Sequence, residues 1–166
     1  MFTLKPISPD SVDGALAKAE RYRLLNEPNE AESICRDILE VDPGNREARV
    51  SAILALTDQI CEDKSVFSNA LSMISGLESE YDRTYYSGIA WERRAKAHYR
   101  EATIGSGREV HDWLVKALDL FNKAEQLRPS GNDDSILRWN ACARFLDRHK
   151  ELQPGREEVQ EPVTLE

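Results

Sequence analysis

A chain of 166 residues, 40% hydrophobic and 31% charged, carries enough apolar material for one domain-sized core. Its 30 acidic against 22 basic residues leave a formal charge of −8, which argues against a protein whose main task is to coat nucleic acid or an anionic membrane. The start, MFTLKPISPD, has no apolar run behind a basic tip, and apolar stretches such as AILAL at 52–56 are too short to span a bilayer. The chain therefore reads as soluble, unexported and cytoplasmic. Cys35, Cys61 and Cys142 are odd in number and lack CxxC spacing, so neither a disulfide framework nor a zinc site is expected.

Residues 1–10 read as an N-terminal extension. The first helix is expected from about Ser11 through DGALAKAERYRLL, stopping at Asn26, because Asn tolerates the left-handed conformation of a helix C-terminus. Pro28 then suits the first turn of a second helix, where a missing N–H costs nothing. That helix, EAESICRDILEV, sets Ala31, Ile34, Cys35, Ile38 and Leu39 on one stripe and ends on Asp42-Pro43-Gly44. A third helix starts after Asn45, a fourth covers roughly 65–78, and a fifth is RTYYSGIAWERRAKAHYREA. EVHDWLVKALDLFNKAEQL, stopped by Pro129, makes a sixth and DDSILRWNACARFLDRH a seventh. The remaining tail, 150–166, is rich in Glu and poor in anything to bury, so it is expected to be disordered.

ALDLFNKAEQLRPSGN at 117–132 echoes AESICRDILEVDPGN at 31–45. With Pro43 as the last signature position of a unit, Ala19, Tyr22, Ala31 and Cys35 fall where the tetratricopeptide repeat has a small residue, an aromatic, Ala and a bulky residue. With Pro129 there, Phe121 and Ala124 fall in register, and Ala117 supplies a small side chain. The chain thus resembles that family. Pro43 and Pro129 are 86 residues apart, 18 more than two 34-residue repeats, which insertions around ICEDKS, EYDRT and ATIGSGRE accommodate. The resemblance implies an all-α fold, an α-solenoid of antiparallel helix pairs with about seven helices, built from three degenerate repeats over 11–149 and a final solvating helix.

Catalytic and metal chemistry lacks a motif. His98, His111 and His149 have no partner at HxxxH or HExxH spacing, GSGRE satisfies neither GxxxxGK nor GxGxxG, and GxSxG is missing. No enzyme activity, metal or cofactor is expected. Trp91, Trp113 and Trp139 read as packing residues.

What remains is a surface. In the family the first helix of each pair lines a concave wall, and in the third pair the corresponding residues are Ile89, Glu92, Arg93, Lys96, Tyr99 and Arg100. Arg93, Lys96 and Arg100 share one helix face and, beside Tyr99, suit carboxylates. Asp134 and Arg138 of the seventh helix lie near enough in such a stack to extend the site. Alternatively, the cations pair with acidic neighbours such as Glu92 or Asp134 across helices. One subset of the family clamps chaperone carboxyl termini; at its positions this chain has Leu16, Glu20, Ser51, Ile89 and Arg93, and Arg93 alone agrees. The expectation is a module, monomeric or weakly homo-oligomeric, holding an acidic peptide or partner helix. A chaperone for a secreted protein, which small acidic three-repeat proteins resemble, and a small-molecule-binding regulator are the alternatives. The acidic tail is a candidate competitor for the same basic stripe.

Overall fold

The computed structural model describes residues 2–61, 63, 65–101 and 107–152. These residues are all-α: α1 (Val12–Leu24), α2 (Pro28–Val41), α3 (Arg46–Asp58), α4 (Val66–Ser75), α5 (Glu80–Arg100), α6 (Gly107–Leu127) and α7 (Asp134–Arg148), with 3-10 turns at Pro9–Ser11, Gln59–Cys61 and Lys150–Leu152. No helix among them is long and apolar enough to cross a membrane. Of the tail 150–166 expected to be disordered, Lys150–Leu152 instead form a 3-10 turn held by the burial of Leu152, while 153–166 lies outside the described residues, as does most of ATIGSG.

The turns form for the reasons written in the sequence. Asn26 adopts φ 61°, the left-handed geometry that Asn tolerates, and the N–H groups of Leu25 and Asn26 close the end of α1 on the carbonyls of Arg21 and Arg23. Pro28 opens α2. After Asp42-Pro43-Gly44, Asn45 caps α3, its side-chain oxygen accepting the Ala48 N–H at 2.9 Å. The sequence reading starts α5 too late. Ser79 accepts the Asp82 N–H, and with Glu80 and Asp82 in the first turn the helix begins at Glu80, adding a turn of Tyr81 and Asp82 to its face.

Each helix packs on the next, and odd-numbered helices also touch: α1 on α3, α3 on α5, α5 on α7. This stacking creates three apolar clusters. The first gathers Ala19, Ala31 and Cys35 with Ala52 and Ala55 of α3. The second takes Ile53 and Leu56 from another face of α3, Phe67, Ala70 and Ile74 from α4, and Ala90 and Ala97 from α5. The third joins Tyr85, Ile89 and Ala95 of α5 to Leu114, Ala117, Phe121 and Cys142. Thus α3 and α5 each serve two clusters, which requires apolar residues around more of their circumference than a surface helix carries.

The α5–α6 crossing is the tightest. A Cβ on Gly88 would stand 2.6 Å from Cε1 of Phe121, so the absence of a side chain there lets the ring lie against the α5 backbone. One turn along α5 from Gly88, Trp91 meets Trp113 of α6 at 6.3 Å between ring centres, with the Arg94 guanidinium sandwiched between Phe67 and Trp113 at 4.4 and 4.3 Å and Lys116 4.0 Å above Trp91.

Candidate functional site

The odd helices bring a line of cations and carboxylates together on one wall. At the α1 end, Arg23 donates through Nε and Nη2 to Asp58 Oδ2 at 3.1 and 2.9 Å. Arg93 of α5 reaches the same carboxylate from the opposite side, Nη1 lying 2.6 Å from Oδ1, and also donates to the Leu54 carbonyl at 2.9 Å and Thr57 Oγ1 at 2.5 Å. Burial pulls the Arg93 pKa below its ordinary value while Asp58 acts in the other direction. An Arg nevertheless keeps its charge.

At the base of the wall, Arg46 grips Asp82 through a two-pronged contact, Nε–Oδ2 at 2.7 Å and Nη2–Oδ1 at 2.8 Å. The hydrogen bond to Asp82 raises the Arg46 pKa. Asp82 is buried, whereas the Arg46 side chain remains 59% exposed.

The α5–α7 end centres on Glu92, which is 1% exposed. Its Oε1 receives Lys96 Nζ at 2.5 Å, and its Oε2 lies 3.5 Å from Arg138 Nη1. Cys142 adds a thiol hydrogen bond, and burial, reinforced by the Glu92 charge, lifts that thiol to about 12. Such a thiol stays protonated and is not a nucleophile. Lys96 also stands 5.4 Å from the centre of the Phe145 ring.

Not every residue expected on the wall is open. Ile89 is 2% exposed and belongs to the third cluster, and Glu92 is covered, because α7 packs across this part of α5. Arg93 commits its donors to α3. Lys96 and Arg138 meet at Glu92 but keep part of their surface. Arg100 is exposed and contacts Cys61 Sγ at 3.5 Å. Tyr99 O–H pairs with His149 Nδ1 at 2.9 Å and donates to Glu151 Oε1 at 3.1 Å. Asp134 is exposed at the start of α7, its N–H held by Asn132 Oδ1, and its charge helps to raise the phenols of Tyr81 and Tyr85.

The sequence pattern gives Arg23 only a helix-packing role and does not mark Arg46, Asp58 or Asp82. A signal did exist: Arg23–Asp58, Arg46–Asp82 and Thr57–Arg93 are 35, 36 and 36 residues apart, a nearly constant separation. In the ion pairs of the wall, five cations (Arg23, Arg46, Arg93, Lys96, Arg138) meet three carboxylates (Asp58, Asp82, Glu92). Two of the three acids are buried beneath their partners. Towards α1, Glu20 and Glu47 share a cleft of about 230 Å³ with Arg23 and Arg46, lined also by Leu16, Val50, Ser51 and Leu54.

No protein-family model matches the chain, and neither a curated protein nor a solved structure matches it.

Proposed function

We propose that the chain is a protein-interaction module, a stack of tetratricopeptide-like helix pairs that holds an acidic peptide or partner helix along the wall formed by α1, α3, α5 and α7. The observation that supports this most directly is the vertical arrangement of charge: Asp82 and Glu92 are sunk in the wall, and the cationic heads of Arg46, Lys96 and Arg138 lie over them, partly in solvent. Their carboxylate partners hold these side chains in place, which lowers the entropy lost when a ligand carboxylate is bound. Low local dielectric at the half-buried wall strengthens each contact relative to an exposed lysine.

Roles divide accordingly. Lys96, Arg100 and Arg138 contact the ligand; Tyr99 supplies apolar surface beside them. Arg93 positions the wall by tying α5 to α3. The acidic stretch of the ligand lies at the α5–α7 end, and a more apolar stretch lies over the cleft beside Leu16, Val50 and Leu54, where Glu20 and Glu47 are matched by Arg23 and Arg46. The module does no chemistry of its own, and a reducing cytoplasmic setting suits its buried free thiols Cys35 and Cys142.

A fluorescein-labelled twelve-residue peptide of alternating Glu and Leu tests the reading by polarisation. Binding should weaken at least about tenfold in a chain carrying Arg100→Glu and Arg138→Gln, and should weaken with salt. Unchanged affinity in that variant, with circular dichroism showing intact helix, would remove the proposal.

A further inference from the structure

The last described turn, Lys150–Leu152, is anchored where the cationic wall begins. Leu152 is 4% exposed and belongs to the third cluster, with Cδ2 3.5 Å from where a Cβ on Gly107 would stand. Glu151, immediately before it, already places a carboxylate on α5: Oε1 accepts from Tyr99 O–H at 3.1 Å and lies 3.0 Å from His149 Nδ1. Tyr99 is three residues from Lys96 and adjacent to Arg100, so the chain continues from one end of the basic wall.

The sequence beyond Leu152 is complementary to that wall. Segment 153–166 is QPGREEVQEPVTLE, with Glu157, Glu158, Glu161 and Glu166 against Arg156, a net charge of −3. Val159, Val163 and Leu165 are interleaved with those acids. Its 14 residues reach up to roughly 45 Å when extended. Successive odd helices in contact are spaced by about 10 Å, so the distance from α5 to α1 is on the order of 20 Å. The segment is long enough to run along the wall in either direction.

We infer that segment 153–166 is itself a ligand of this wall, docking on Lys96, Arg100 and Arg138 of its own chain and competing with an outside acidic partner. The inference rests on the interaction reading above and names a built-in occupant for the same surface. Tethering gives the segment an effective concentration of about a millimolar, so even a weak contact, with an intrinsic dissociation constant near 100 µM, lowers the affinity for an outside peptide about tenfold. A partner must then be more acidic, longer or more concentrated to displace it.

The test uses the full chain and the same fluorescein-labelled Glu-Leu peptide. Replacing the four glutamates (Glu157→Gln, Glu158→Gln, Glu161→Gln, Glu166→Gln) leaves the described helices untouched. The variant is expected to bind the probe about tenfold more tightly than the unaltered chain, with the gain shrinking as salt rises. Equal, measurable affinity for both chains would overturn the inference and leave the interaction reading standing. Absence of probe binding by either chain would remove both.

A spin label on exposed Cys61, beside Arg100, separates docking within one chain from docking between chains. In the unaltered protein it should broaden amide signals of 157–166, and in the four-Gln variant it should not. Broadening that appears only between differently labelled molecules, or that vanishes on dilution, would overturn docking within one chain.

Discussion

The first helix pair, α1 with α2, and the third, α5 with α6, are packed with different materials. Between α1 and α2 the contact is made by Ala19, Ala31 and Cys35, small side chains that let two helices approach and bury little area each. Between α5 and α6, two 21-residue helices enclose Phe121, Leu114 and Ile89 with Tyr81 and Tyr85 stacked beside them at 5.6 Å. The third pair also holds the buried ion cluster of Glu92, and the wall residues that keep solvent exposure. Regular spacing and packed mass are thus separate properties: the first pair carries the clearer repeat phrase, and the third carries the larger core and the basic end of the wall.

Substitution should expose that asymmetry first in the cores. Phe121→Ala removes a fully buried ring from the Gly88 notch and should cost about 3–5 kcal/mol in urea unfolding, whereas Cys35→Ala in the first pair should cost about 1–2 kcal/mol. Equal losses would show that the two cores are equivalent despite their composition.

The next largest effect is expected at the ion cluster. Glu92→Gln keeps the shape but leaves Lys96 and Arg138 without their carboxylate, and should destabilise by about 2–3 kcal/mol, below the full cost of a broken buried pair because both cations reach solvent. Asp58→Asn, at the half-buried contact between Arg23 and Arg93, should cost less than Glu92→Gln in the same unfolding assay. A larger loss at Asp58 would invert the comparison.

The most gradual effect is alkaline. Burial raises Tyr81 and Tyr86 to about 12, and Cys142 to about 12, above ordinary values of 10.0 and 9.0. A group whose folded pKa lies above its unfolded one contributes stability that is complete below the unfolded value and is lost as pH rises towards the folded one. Melting temperature should therefore hold to about pH 9 and fall between there and pH 12, with phenolate absorbance of the folded protein lagging that of free tyrosine. A phenolate signal already complete near pH 10 would show that α5 does not shelter its tyrosines.

The boundaries of the fold were legible because they rest on local chemistry: Asn26 in a left-handed turn, Pro28 opening a helix, Asn45 capping the next. The late start assigned to α5 has an equally local cause. Glu80, Tyr81 and Asp82 look like loop until Ser79 is recognised as the cap. The wall was half legible. Lys96 and Glu92 are one helical turn apart and their pairing can be read from spacing, but Arg93 answers to Asp58, on another helix. Its partner becomes identifiable only once pairs separated by 35 or 36 residues are sought among the charges.

Asp58 has a mechanical meaning beyond its charge. One carboxylate on α3 is held from one side by α1 and from the other by α5, so it fixes the separation of two helices that are not neighbours. Stacked helices are springs in series, and a strut between the first and third members stiffens the stack against opening, much as a cross-tie sets the curvature of an arch. The spacing of α1, α3 and α5 is tied by two arginines reaching for the same acid.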